Sequence, residues 1–322
     1  MNEVTHRMVD TNGIRLHLAE QGAGPLVVFC HGFPESWYSW RHQLAALAAA
    51  GFHAVAPDMR GYGQSDRPDE IDRYTLLHLV GDMVGVLDAL KAEQAVIVGH
   101  DWGAPVAWWS ALLRPDRFRG VIGLSVPYVP RGRARPTSVM PQNADAVFYQ
   151  LYFQAPGAAE AEYERDVGVT LRKMLYSASG DAPPRKDDVD IGMVPRGGGW
   201  LARMQSPATL PAWLSEQDLA FYTAEFVRTG FRGGLNWYRN IDRNWELGGA
   251  LAGARVTVPA LYIAGDRDLV VSFRGVNELI ANLSTFVPGL RGTVMLKGCG
   301  HWTQQERPAD VNAAILEFLQ HL

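Results

Sequence analysis

Asp101 stands at the centre of Gly99-His100-Asp101-Trp102-Gly103, after the apolar run AVIVGH and before GAPVAWWSALL. A strand, a tight turn and a helix in that order lift the apex side chain clear of the backbone, and the flanking glycines let strand and helix approach closely. Such a turn usually presents serine. A carboxylate there is unsuited to acyl transfer, because attack on an ester carbonyl would leave a mixed anhydride more reactive than the substrate. Attack on a saturated carbon that carries a leaving group leaves a stable alkyl ester instead, which water can cleave at the carboxyl carbon. The competing reading, a strand-end aspartate that caps the next helix, explains none of the partners that follow.

A nucleophile on this kind of turn needs an acid and then a base later in the chain. KGCGHW puts His301 just after the last strand-like run, and IAGDRDLV puts Asp266 and Asp268 just after the one before it. His301 would activate water, and one of the two carboxylates would orient the imidazole and stabilise its charged form. Charge that develops on the ester carbonyl needs backbone donors. The loop FCHGFPESW turns at Gly32-Phe33-Pro34 after the strand-like PLVVFC, so the N–H groups of Phe33 and of Trp102, next after the apex, are the expected oxyanion site. His100 adjoins Asp101, but neighbours on a turn point apart, and it reads as structural.

These residues need a scaffold that brings several strand ends together. PLVVFC, FHAVAPD, AVIVGH, GVIGLSV, PALYIAG and GTVMLKG are short, β-branched and bounded by Gly, Pro or Asp, as buried parallel strands are. WRHQLAALAAAG, TLLHLVGDMVGVLDALK and PVAWWSALLRP have helical length and period, which gives the alternation of an α/β sheet. The alternation stops after Val126, and from about Tyr128 to Gly248 the chain is aromatic and irregular. The expected organisation is a core of residues 1–127 and 249–322, with 128–248 inserted as a helical cap over the strand ends, where such sheets bind ligands. Within the cap, Trp200, Trp213, Trp237 and Trp245 suggest an apolar tunnel, although most such rings form core.

Composition narrows the partners. With 30 basic and 34 acidic residues spread along 322, the net charge of -4 offers no footprint for nucleic acid. PRGRARP, Pro130 to Pro136, reads as a solvated loop, and the Gly-rich Arg196 to Gly199 also reads as a loop. PDMRGYGQSDRP lacks the third glycine of a dinucleotide site, and the histidines show no zinc-binding grouping, so neither cofactor nor metal is expected. Cys30 and Cys299 make no disulfide framework. No apolar run approaches the roughly 20 residues of a membrane span, and the N-terminus lacks the apolar core of a secretory signal. The expectation is a soluble, cytoplasmic protein, with room for an oligomer.

HGFPESWYSWRHQLAALA, GHDWG, FYQLYFQAPG, GFRGGLNWYRNIDRNW and GCGHWTQ together resemble the α/β-hydrolase-fold epoxide hydrolases, in particular the catalytic domain of the mammalian soluble enzyme. The resemblance covers nearly the whole chain. It implies an α/β-hydrolase fold, a mostly parallel sheet flanked by helices with an inserted cap, and hydrolysis of a small apolar epoxide to a vicinal diol by water. It also implies two cap tyrosines that hydrogen-bond the epoxide oxygen and protonate it as the ring opens. By motif position these are Tyr149 and Tyr238, with Tyr152, three residues on, as the rival to Tyr149. Of the two carboxylates, the resemblance selects Asp268. Haloalkane dehalogenases share the fold, the elbow aspartate and the tryptophan after it. They form the alternative enzyme reading, and a non-catalytic binding protein of the same fold is a third.

Overall fold

A computed structural model describes residues 3–183 and 192–322. The strands, in chain order, are β1 (Thr5–Thr11), β2 (Ile14–Gln21), β3 (Leu26–Cys30), β4 (His53–Pro57), β5 (Ala95–His100), β6 (Phe118–Leu124), β7 (Ala146–Phe148), β8 (Met193–Pro195), β9 (Ala260–Gly265) and β10 (Leu290–Leu296). Eight of them form one sheet in the order β1-β2-β4-β3-β5-β6-β9-β10. The six strand-like runs read from the sequence are its parallel part.

Side chains of β3 and β5 are buried along their whole length because both faces of the sheet are covered. Val28, Cys30 and Ile97 face one core, with Met83 and Val86 of α2 (Leu76–Ala89) and Ala104 and Ala107 of α3 (Gly103–Leu113). Val27, Phe29, Val96 and Val98 face the other, with Leu44 and Leu47 of α1 (Arg41–Ala49) and Ile315 and Phe318 of the helix Pro308–Gln320. Burying each such side chain is worth about 1.5–3 kcal/mol, so the central strands are held firmly enough to carry a strained turn.

The chain leaves β3 for β4 on one side and later returns to β5 on the other. That reversal opens a crevice at the C-terminal ends of the strands. Between β6 and β9 lie the antiparallel pair β7–β8 and the helices Ala158–Tyr163, Val167–Ser177, Glu216–Thr229, Arg232–Arg239 and Ile241–Leu247. This segment rests on the crevice loops through aromatic contacts: Tyr238 on Phe33 at 5.6 Å between ring centres, and Trp237 on Tyr62 at 5.6 Å.

One feature differs from the sequence reading. The hairpin β1–β2 was invisible as structure, because β1 is an exposed edge strand with polar residues on both faces. Its Asn12-Gly13 turn, with Gly13 at φ 75°, was the available signal. PRGRARP is the largely exposed loop expected, tied down at two points. The Arg131 guanidinium lies 4.0 Å over the Trp245 ring and donates to the Trp245 carbonyl at 2.9 Å, and Arg135 pairs with Glu246. Pro136 then opens a short helical turn, as its missing N–H allows.

Candidate active site

The end of β5 is built as a strained presentation of one carboxylate. Asp101 has φ 51°, a left-handed conformation that costs a non-glycine residue on the order of 1–3 kcal/mol and marks functional turns. A β-carbon on Gly99 would overlap the Gly103 carbonyl, and one on Gly103 would overlap the Cys30 carbonyl, so only glycine lets α3 start this close to β5 and β3. Across the crevice, a β-carbon on Gly32 would strike the Asp101 side chain itself. That close approach lets the Phe33 N–H donate to Asp101 Oδ1 at 2.8 Å. Trp102 is the N-cap of α3, where a backbone N–H has no partner within the helix.

The loops after β10, β9 and β6 supply the partners of this carboxylate. His301, after β10, holds Nε2 at 3.5 Å from Asp101 Oδ2 and Nδ1 at 2.9 Å from Asp268 Oδ1. Asp268, after β9, also accepts the Val270 N–H at 2.9 Å and is fully buried. Asp266 faces away and accepts the Gly298 N–H at 2.7 Å. Burial opposes the charge of the imidazole, yet the carboxylate of Asp268, seconded by Asp101, raises the His301 pKa well above the ordinary histidine value. Burial likewise opposes the charge on Asp268, and His301 outweighs it, so that carboxyl lies below its usual range.

Ser125, immediately after β6, was missed from sequence. Its φ is 68° and its hydroxyl lies 3.1 Å from His301 Nδ1, beside the bond to Asp268. A non-glycine residue in this conformation, buried and aimed at the His301–Asp268 pair, fits a role in holding that pair.

Tyr149 and Tyr238 face the same cavity as Asp101 and His301, with ring centres 6.0 Å apart. Tyr149 opens the single turn Tyr149–Tyr152 and stacks on Trp200 at 4.6 Å and 13°. Tyr238, in the helix Arg232–Arg239, packs edge-on against Trp102 at 5.1 Å and Phe153 at 4.8 Å. Burial, then the charge of Asp101, pushes both phenols above the ordinary tyrosine range, so both keep their protons at neutral pH. Tyr152 turns out of the cavity and donates to Glu162 at 3.0 Å. Glu162 in turn accepts the Trp200 and Leu201 N–H groups, so Tyr152 supports the ring on which Tyr149 stacks. Met174, Met204, Leu269, Val270 and Trp302 make the remaining wall largely apolar. Of the four tryptophans singled out above, Trp200 lines this cavity; Trp237 is core, and Trp213 and Trp245 bond to Asp181 and Gly132.

Glu35, given no role from sequence although it lies in HGFPESW, supports three parts of the site. Its carboxylate accepts the Gly32 N–H at 3.0 Å, the Gln304 amide at 2.9 Å and His100 Nδ1 at 2.7 Å, while His100 Nε2 meets the His301 carbonyl at 2.7 Å. A carbonyl and a carboxylate both accept, so both ring nitrogens of His100 donate. Through Glu35, His100 thus joins the Gly32–Phe33 loop to the His301 loop. Burial opposes the Glu35 charge, but His100 prevails and holds the carboxyl at about 2. A depressed carboxyl stabilises the fold above its unfolded pKa, and the contribution is lost as pH falls through the folded value. Glu35→Gln is therefore expected to lower stability at pH 7 by about 3–5 kcal/mol, the usual cost of breaking a buried ion pair. The gap from wild type should shrink as pH falls from about 4.5 toward 2, as thermal melts across that range would show.

Fold and site together define an α/β hydrolase whose elbow residue is a carboxylate. The family model of the α/β-hydrolase fold matches residues 25–308. Epoxide hydrolase A of Mycobacterium tuberculosis is 48% identical, with 100% of this chain and 99% of that protein aligned. The solved epoxide hydrolase of an endophytic Streptomyces superposes with a TM-score of 0.96 at 48% identity, over 99% of this chain and 96% of that one. The bifunctional epoxide hydrolase 2 of Sus scrofa is 41% identical over 96% of this chain and 54% of its own length. The chain belongs to the epoxide hydrolases of the α/β-hydrolase fold. Among the described residues no helix is long and apolar enough to cross a membrane.

Proposed function

We propose that this enzyme converts a small apolar epoxide to a vicinal diol through an ester on Asp101, with residues 128–248 as the cap and 1–127 with 249–322 as the core. One observation carries the reading: the Asp101 carboxylate and two protonated phenols face one apolar cavity, with His301 beside the carboxylate. Oδ1 is occupied by the Phe33 N–H, so Oδ2 is the attacking atom. It bonds to one ring carbon as the C–O bond breaks, and the departing oxygen takes a proton from Tyr149 or Tyr238. A strongly basic alkoxide needs that proton, whereas a halide needs none; the pair of phenols therefore favours epoxide over haloalkane.

Ester formation removes the charge of Asp101, and with it part of what keeps His301 protonated. The His301 pKa then falls, its Nε2 proton passes to the tyrosinate left by ring opening, and Nε2 becomes a base for water while Asp268 holds Nδ1. Hydroxide adds to the Asp101 carboxyl carbon. The Phe33 and Trp102 N–H groups stabilise the oxyanion, and the diol oxygen leaves with the proton of the added hydroxyl, which restores the carboxylate. Buried free thiols at Cys30 and Cys299 support a reducing, cytoplasmic setting.

Single turnover in heavy-oxygen water with enzyme in excess is the test. Label is expected in the Asp101 carboxylate and absent from the first diol, as peptide and product mass spectra would show. Label in that first diol means direct attack by water, and the ester reading fails.

A further inference from the structure

The Tyr149 hydroxyl has one hydrogen-bond partner among the described residues, the side-chain amide N–H of Gln150, at 3.0 Å. Conjugation keeps a phenol O–H in the ring plane, so its proton has two positions. A donor on one side leaves the proton to the other. The ring itself is held by Trp200, stacked at 4.6 Å, and by Phe153, edge-on at 5.5 Å. The backbone at Gln150 is also anchored: its main-chain carbonyl accepts the Gln154 side-chain amide at 2.8 Å, and the same amide nitrogen donates to the Tyr238 main-chain carbonyl at 2.9 Å. This bridge ties the turn that carries Tyr149 to the helix that carries Tyr238.

Resting on the reading of Tyr149 as a proton donor, we propose that Gln150 is a positioning residue that donates to the Tyr149 oxygen and so commits the phenol proton to the epoxide oxygen in the cavity. Donation to the phenol oxygen also stabilises the tyrosinate that forms as the proton leaves, and it opposes the burial that otherwise raises that cost. Gln150 therefore acts on ring opening alone. Hydrolysis of the Asp101 ester involves neither group.

The test is rapid-quench single turnover with a trans-disubstituted aryl epoxide, separating ester formation from ester hydrolysis in wild type, Gln150→Met, Gln150→Glu, Tyr149→Phe and Tyr149→Phe/Gln150→Met. Gln150→Met should slow ester formation about threefold, the worth of one hydrogen bond, with hydrolysis unchanged and no further loss in the Tyr149→Phe background. Gln150→Glu should slow it more, about tenfold, as far as Tyr149→Phe does, because a carboxylate accepts the phenol proton. Its rate should recover as acid protonates that carboxyl and restores a donor. Ester formation at the wild-type rate in Gln150→Met overturns the proposal. So does a Gln150→Glu enzyme as fast as wild type beside a slow Gln150→Met, which would mean that the amide oxygen accepts from Tyr149. An equal loss in both steps would reduce Gln150 to a packing role and also overturn it. A Tyr149→Phe enzyme that opens epoxide normally defeats the underlying reading of Tyr149, separately from anything found at Gln150.

Discussion

His301→Gln is expected to stop after the first half of the reaction and accumulate as the Asp101 ester. The variant keeps Asp101, the Phe33 N–H and both phenols, so ring opening has what it needs. It loses the base at 3.5 Å from Asp101 Oδ2. Removing a positioned general base costs about 10²–10⁴-fold, and that loss falls on ester hydrolysis. Intact-protein mass spectrometry after addition of epoxide should show a mass increase equal to the substrate, on the peptide that contains Asp101. The glutamine amide can still donate to the buried Asp268, so the fold is expected to persist, and circular dichroism would check it. Normal turnover would remove His301 from the role of base.

Replacement of both Tyr149 and Tyr238 by phenylalanine should abolish ring opening and leave the fold intact. Each substitution removes only a hydroxyl, and the rings keep their packing on Trp200, Phe153 and Trp102. On the proposed mechanism both phenols serve the same departing oxygen, so single losses are buffered and their effects do not add. About tenfold is expected for either single variant and at least ~10³-fold for the pair, within the range of general acid catalysis. Rates of ester formation in single turnover, with thermal melts for the fold, are the measurements. Full activity of the double variant, together with halide release from a haloalkane, would shift the enzyme to dehalogenation.

The central parallel strands were legible because they are covered on both faces, which writes an unbroken apolar run into the sequence. β1 leaves no such trace, since an edge strand in contact with water can be polar throughout. The elbow was legible for a steric reason: its glycines occupy places where any side chain would overlap backbone. Tyr149 and Tyr152 could not be told apart, because neighbours on one turn of helix differ only in what packs around them. Glu162 draws Tyr152 away, and Trp200 keeps Tyr149 on the cavity. Glu35 and Ser125 looked like any polar loop residue. Glu35 meets His100 across 65 positions of sequence, and Ser125 meets His301 across 176.

Residue type and local spacing alone therefore determined the kind of chemistry: a carboxylate raised on a glycine-flanked turn, a histidine and an acid after later strands, and a sheet to bring them together. Which acid faces the imidazole, which phenol faces the cavity and what braces them were decided only in the folded chain. Reactivity and backbone path are properties of a short segment. The direction, charge state and solvation of a side chain arise from groups that folding brings in from far along the sequence.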